Sequence, residues 1–432
     1  MNKGTRKGKI LVVMSEVFVI KGGKALKGKV RISGSKNATV ALIPAAVLAN
    51  EPVHITGIPK ISDVAALSKL LGELNCEVQA INGNELIINP AKMINISLED
   101  DSVTKLRASY YFMGALLGKY KEVSIRMSGG CDLGPRPIDL HLKGFEALGA
   151  QIDYSRGIYH LKAEKLCGNK IFLDIASVGA TINIMMAAVY AEGRTTIENA
   201  AREPEIIDVA NLLNKMGARI RGAGTTVLTI DGVKYLGGCF HEIIPDRIEA
   251  GTYVIMAATA AEDMIIENVI PLHIESLIAK LREMKADVEV GIDYIHIKRV
   301  AELVATDIKT RPYPGLATDL QQPFSVLMTQ ATGISQIVET IYQDRFKQCK
   351  DLNKMGAKIE VKQGFCLIEG PTKLYGCDVE ATDLRGGAAM VIAALIAEGE
   401  TTINEVFHID RGYEGIDDKL RELGADIVRI EK

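Results

Sequence analysis

Residues 180–218 read ATINIMMAAVYAEGRTTIENAAREPEIIDVANLLNKMGA, and this stretch decides the fold because its grammar recurs along the chain. Ala180 to Ala191 is apolar and rich in small residues, the composition of a helix buried on every side rather than along one stripe. Glu192-Gly193 then turns the chain into Thr195-Thr196-Ile197, a short β-favouring run. Beyond it, Ile206, Val209, Leu213 and Met216 stand at the three-to-four spacing of a helix with one buried face. Gly217 supplies a left-handed residue to end that helix. Alternation from Ala218 to Ile230, interrupted at Gly222 to Gly224, predicts a closing hairpin.

The same helix ending appears as Leu74-Asn75-Cys76, Leu148-Gly149-Ala150, Met216-Gly217-Ala218, Met284-Lys285-Ala286, Met355-Gly356-Ala357 and Leu423-Gly424-Ala425. Successive endings lie 68 to 74 residues apart, so six units of similar length fill the chain. The sixth repeats the third closely, with an apolar helix Gly386 to Ala397 and the run Thr401-Thr402-Ile403. An α/β fold follows, with helices inside and sheets outside, since the first helix of each unit has no polar face to show to water. Gly237-Gly238-Cys239 and Ile243-Ile244-Pro245-Asp246 read as a loop-like break near mid-chain, which divides the units three and three. The first apolar helix begins only near Ala38, so the strands Val17 to Ile20 and Lys29 to Ile32 are assigned to the C-terminal half. The domains are therefore placed at residues 35–243 and at residues 1–34 with 244–432, with the functional cleft between them.

Two or three domains also match the length of 432 residues. The net charge is −3, from 51 basic and 54 acidic side chains, which recommends neither nucleic acid nor an anionic membrane as partner. No apolar run approaches the roughly 20 residues of a membrane span. Seven cysteines without a C-x-x-C pair suggest neither a disulfide framework nor a zinc site, and a reducing cytoplasmic setting fits them best. Lys3, Arg6, Lys7 and Lys9 precede a short apolar stretch, Ile10 to Met14, that lacks a cleavage site. Residues 1–13 read as an extension, with Met14 as an alternative start.

Ser33-Gly34-Ser35-Lys36-Asn37 leads from a strand into an apolar helix, an arrangement that offers backbone N–H groups and a lysine to an anion, or simply caps the helix. The second unit departs from the others at Ser128-Gly129-Gly130-Cys131-Asp132-Leu133-Gly134-Pro135-Arg136-Pro137. A thiol flanked by glycines on an exposed loop favours reactivity over packing. Arg107 and Arg385 open apolar helices, while Arg136, Arg345 and Arg411 precede second helices. Their guanidinium forks suit phosphate and carboxylate, although any one arginine could be a solvated ion-pair partner. Asp319 and Asp383 occupy the related stretches Ala317-Thr318-Asp319-Leu320-Gln321 and Ala381-Thr382-Asp383-Leu384-Arg385. Each reads equally as a helix cap or as a working carboxylate. The seven histidines show no metal-ligand spacing, and His141, beside the cysteine loop, is the one to watch.

At these residues the chain resembles the UDP-N-acetylglucosamine 1-carboxyvinyltransferases, a family of enolpyruvyl transferases, from about Val17 to its end. S-G-S-K-N-A at 33–38, G-G-C-D-L-G-P-R-P-I-D-L-H at 129–141, S-V-G-A-T at 177–181 and N-A-A-R-E-P-E-I at 199–206 carry the resemblance. So do P-D-R-I-E-A-G-T at 245–252, A-T-D-L-Q at 317–321 and H-I-D-R-G-Y-E at 408–414. It implies a two-domain inside-out α/β barrel of six βαβαββ units, three per domain. It also implies transfer of the enolpyruvyl group of phosphoenolpyruvate to the 3-hydroxyl of UDP-N-acetylglucosamine, with neither metal nor organic cofactor. Phosphoenolpyruvate contacts then fall on Lys36, Asn37, Cys131, Arg136 and Arg411. Sugar-nucleotide contacts fall on Asn37, Arg107, Arg136, Pro137, Ile138, Asp139, Leu140, Ser177, Val178, Gly179, Asp319 and Ile341. Arg345 and Arg385 become cleft arginines, Asp319 the base or orienting group, and Cys131 the proton donor and target of the epoxide antibiotic fosfomycin.

Two departures stand out. Ala176 occupies the place before Ser177 where many relatives carry a basic residue toward the diphosphate, and the segment before Met14 has no assigned role. The sister reaction on shikimate 3-phosphate uses the same fold without a loop like Gly129 to Pro137. A catalytically silent sugar-nucleotide sensor is the alternative from another class, disfavoured by the joint presence of Lys36, Cys131, Arg136, Asp319 and Arg411.

Overall fold

The computed structural model describes residues 16–99, 107–126, 138–342 and 345–432, with the side chain of Arg107 left out. Cys131, Arg136, Pro137 and the segment before Met14 lie outside the described residues. The chain forms a mixed α/β fold with two separate hydrophobic cores. One gathers residues from Ala38 to Ile243, and the other joins Phe18 to Ile32 with Ile248 to Ile427.

Each core is built on three apolar helices, Lys36–Ala46, Tyr111–Tyr120 and Val178–Ala188 in the first, and Arg247–Ala260, Gln321–Met328 and Leu384–Ile396 in the second. Ala38 to Ala46, Ala180 to Ala188 and Arg385 to Leu395 are buried without interruption. Their small side chains permit close approach. A Cβ on Gly114 would sit 2.2 Å from the backbone oxygen of Asn183, on the neighbouring helix. Burying each Leu, Ile or Met in these helices contributes about 1.5–3 kcal/mol.

Among the described residues the strands make six sheets, five of four strands and one of three. The middle residue of every predicted helix ending adopts a left-handed conformation: Asn75, Gly149, Gly217, Lys285, Gly356 and Gly424 have φ of 57°, 100°, 109°, 63°, 111° and 95°. Glycine makes that state easy. Asn75 and Lys285 adopt it at a cost, so the turn, and not the residue type, is what repeats.

The mid-chain break is irregular at Gly237-Gly238 and Ile243-Ile244 but holds a strand between them. Cys239–Glu242 is a strand, parallel to Val53–Thr56 in a first-core sheet. Conversely, Leu26–Arg31 runs parallel to Ala261–Glu267 in the second. Each core thus borrows a strand from the segment leading into the other. Glu16–Lys21 lies between Glu400–Asn404 and Asp426–Glu431, so the described chain's first and last strands pair.

The two crossings run side by side. Ser35 N–H donates to the Ile244 carbonyl at 2.8 Å, and Asp246 N–H to the Ser33 carbonyl at 2.9 Å. A Cβ on Gly34 would sit 1.7 Å from the Gly57 carbonyl oxygen, so only glycine fits this passage. Lys36 therefore emerges from the crossover itself, where both halves fix its backbone.

Candidate active site

Ser35 caps the helix that Lys36 opens, accepting from Ala38 N–H at 3.2 Å, and the Lys36 N–H donates to Asp246 at 2.8 Å. The Lys36 ammonium lies 3.4 Å from Asp63, a buried carboxylate in the first turn of helix Ser62–Glu73. Arg411, at the end of the short helix Phe407–Asp410, donates its Nε–H to the other oxygen of Asp63 at 3.1 Å. The pair spans 348 positions in sequence and joins the two halves. Gly412 makes room beside it, since a Cβ there would stand 3.3 Å from the Lys36 stem.

Asp319 forms a second cluster inside the C-terminal half. It caps nothing: Arg345 meets one carboxylate oxygen at 2.8 Å and Arg385 meets the other at 3.2 Å. Burial pushes the Asp319 carboxyl up, but Arg345 and Arg385, with Lys36 further off, outweigh it and hold the group well below the ordinary carboxylate range. Asp383, in the matching stretch of the next unit, does cap its helix, accepting from the N–H groups of Arg385 and Gly386 at 2.9 and 3.0 Å. The same local sequence therefore serves architecture once and a charged cluster once.

The arginines are fixed from behind. Arg385 lies over the Tyr413 ring at 5.2 Å, and Arg345 over Tyr342 at 5.3 Å. Arg345 also donates to Thr318 at 2.9 Å, Thr318 donates to Glu339 at 2.9 Å, and Glu339 accepts from Ile341 N–H at 2.7 Å. This chain ties Ile341 to Asp319. Among the described residues, Arg345 Nε and Arg385 Nη1 are buried without a hydrogen-bond partner.

A third convergence involves the predicted sugar-nucleotide residues. Ser177 caps helix Val178–Ala188, accepting from Ala180 N–H at 3.3 Å, so Val178 and Gly179 present the helix start. Ile138 precedes helix Asp139–Ala147, where Leu140 and His141 fall in the first turn. A Cβ on Gly179 would lie 3.0 Å from both the His141 ring and the Tyr110 hydroxyl. Tyr110, His141 and Gly179 are thus neighbours. Asn183 meets His141 Nδ1 at 2.9 Å and donates to the Tyr110 carbonyl at 3.1 Å, which anchors the group from below. Asn37 is half-buried beside Lys36. Ala176 packs against the first core and brings no charge.

The sequence profile of EPSP synthase (3-phosphoshikimate 1-carboxyvinyltransferase) matches residues 20–420. This chain belongs to that family. It is 55% identical over 408 residues to the UDP-N-acetylglucosamine 1-carboxyvinyltransferase 2 of Geobacillus kaustophilus, covering 94% of this chain and 95% of the relative. The Bacillus subtilis protein of the same name is 54% identical over 415 residues, 96% of each chain. Among solved structures, the enolpyruvyl transferase NikO from Streptomyces tendae superposes with a TM-score of 0.88 at 24% identity, covering 97% of this chain and 100% of that one. The EPSP synthase of Acinetobacter baumannii gives 0.76 at 20% identity, covering 96% and 100%. At those identities the two structures establish the shared fold.

Two features of this family member escaped the sequence reading. Asp63 looked like any acidic residue in a first helical turn, and nothing local announces a partner 348 positions away. Glu205 and Arg247, in two of the quoted motifs, pair at 3.0 Å between the halves. Among the described residues no group of three or more His, Cys, Asp or Glu is placed to hold a metal ion, and no helix is long and apolar enough to cross a membrane.

Proposed function

We propose that this protein transfers the enolpyruvyl group of phosphoenolpyruvate to the 3-hydroxyl of UDP-N-acetylglucosamine, releasing phosphate, as a cytoplasmic step of peptidoglycan synthesis. The observation that carries the reading is the cleft's charge pattern. Lys36 and Arg411 converge from opposite halves on one spot, and Asp319 stands within electrostatic reach of Lys36. Identity of 54–55% to the UDP-N-acetylglucosamine enzymes favours that acceptor over shikimate 3-phosphate. The architecture is two domains, residues 35–243 and residues 1–34 with 244–432, each of three βαβαββ units with helices inside, closing on the cleft.

The reaction runs as addition and elimination. A proton adds to C3 of phosphoenolpyruvate while the sugar oxygen bonds to C2 and loses its own proton. Loss of a C3 proton and of phosphate then restores the double bond. Cys131 supplies the first proton and is the site fosfomycin alkylates. Lys36, Arg136 and Arg411 hold the anionic substrate, and Asn37 bridges the two substrates. Arg107, the segment Arg136 to Leu140, the Ser177 to Gly179 helix start and Ile341 hold the nucleotide sugar. The two arginines on Asp319 bear on its role. They depress its basicity, so Asp319 orients the hydroxyl by accepting its hydrogen bond, and takes the proton only as attack on C2 acidifies that hydroxyl.

The test is product identity. Incubation with phosphoenolpyruvate and UDP-N-acetylglucosamine should yield, by mass spectrometry, the nucleotide sugar carrying one enolpyruvyl group. The same sample treated with fosfomycin should carry its adduct on the peptide containing Cys131. An unmodified nucleotide sugar would defeat the assignment, as would full activity in Cys131→Ala for the role given to that residue.

A further inference from the structure

Asp63 is a buried carboxylate that the reaction above does not use. Only 5% of it is exposed, and its two oxygens divide between two groups assigned to phosphoenolpyruvate, Lys36 from one half and Arg411 from the other. The cations, by contrast, keep 17% and 28% of their side chains exposed, so they reach toward solvent while the carboxylate is the more buried partner. Ile61 leaves the start of helix Ser62–Glu73 without a side-chain cap, and Asp63 does not supply one, because its described contacts go to the two cations. A carboxylate placed so is held for those cations and not for its helix.

We propose that Asp63 is a positioning residue that stands in for the substrate's anion between Lys36 and Arg411, aligning them in the empty site and lowering the pocket's charge enough for phosphate to leave. The proposal rests on the reading of Lys36 and Arg411 as phosphoenolpyruvate ligands. Two cations converging on one spot without a counter-charge would repel each other across the cleft and favour its opening. With Asp63 behind them, Lys36 and Arg411 together contribute a single net positive charge to a site that Arg136 also serves. That is enough to attract a substrate carrying phosphate and carboxylate, and it limits the hold on the phosphate produced. Arg411 also gains two alternative anions, one on each side. Its contact with Asp63 therefore couples the anion site to the approach of the two halves.

The experiment uses the full chain and inorganic phosphate as probe. Calorimetric titration of phosphate onto Asp63→Asn should show affinity raised about tenfold over the wild-type protein, from removal of one nearby unit charge. Steady-state kinetics should show the KM for phosphoenolpyruvate falling with it and kcat falling as phosphate release slows. Asp63→Glu keeps the charge, so its phosphate affinity should stay at the wild-type value even if turnover drops through misalignment, which keeps the idea testable if the Asn variant does not fold. A merely structural role would weaken phosphate binding or leave it unchanged. Weaker or unchanged binding in Asp63→Asn, or tighter binding in Asp63→Glu, overturns the proposal. Phosphate binding needs no turnover, so a wild-type protein that binds phosphate yet makes no enolpyruvyl product would sink the assigned reaction and leave the role of Asp63 standing.

Discussion

Two carboxylates, Asp63 and Asp319, each receive two cations, and they are built in opposite senses. Asp63 has 6% of its side chain exposed, with its partners Lys36 and Arg411 at 17% and 28%. Asp319 has 27% exposed, with Arg345 and Arg385 at 3% and 2%. In the first cluster the negative charge is buried and the cations are presented, which is the arrangement we propose for receiving an anion. In the second the cations are buried and the carboxylate is presented, which is the arrangement we propose for accepting a hydroxyl proton. The first cluster also joins the two halves, whereas the second lies within one of them.

This contrast can be broken most directly at Asp319. Asp319→Ala should cost about 3–5 kcal/mol in denaturant unfolding, because it leaves two buried guanidinium groups uncompensated. Asp319→Asn retains an acceptor for one arginine and should be closer to the wild type in stability, while turnover falls about 10²–10⁴-fold. A freely tolerated Asp319→Ala would mean that the arginines are not held by this carboxylate. Lys36→Ala sharpens the other side of the comparison. It removes one of two cations from a buried carboxylate that Arg411 still meets, so stability should fall by less than in Asp319→Ala while the KM for phosphoenolpyruvate rises severalfold. A large stability loss with unchanged KM would reverse the roles given to the two clusters.

The smallest expected effect lies at His273, beside the Glu205–Arg247 contact between the halves. Burial first, and then the Arg247 charge, push its pKa from 6.5 down to about 4. The unfolded chain therefore binds a proton on His273 below about pH 6.5 that the folded chain refuses until about pH 4. Stability from this group is complete above that window and is lost as pH falls through it. Its partial exposure limits the effect to about 1 kcal/mol. His273→Asn should flatten the stability–pH profile between those limits, and an unaltered slope would remove the histidine from the interface account.

Much of this was legible before any coordinates. The six helix endings were, because a left-handed residue after an amphipathic helix leaves a mark at every recurrence, even where Asn75 or Lys285 replaces glycine. Arg345, Arg385 and Arg411 could be singled out at matched places, Asp319 by the stretch it shares with Asp383, and Lys36 by the glycine-containing turn that opens its helix. Their pairing could not, since Asp63 meets Arg411, and Glu205 meets Arg247, through the crossing of the two halves. Cys239–Glu242 was missed for a related reason. Its burial alternates poorly, and it is made a strand only by Val53–Thr56, far back in the sequence. Asp319 and Asp383 share a local sequence and differ in what the fold brings to them.

We propose that the Lys36–Arg411 cluster receives phosphoenolpyruvate and that Asp319 accepts from the hydroxyl of UDP-N-acetylglucosamine as the two are joined. Phosphate release from phosphoenolpyruvate, followed with UDP-N-acetylglucosamine and separately with shikimate 3-phosphate, tests it most directly. The account predicts rapid, acceptor-dependent release with the nucleotide sugar and none above background with shikimate 3-phosphate. Release with shikimate 3-phosphate alone, or with neither acceptor, would contradict it.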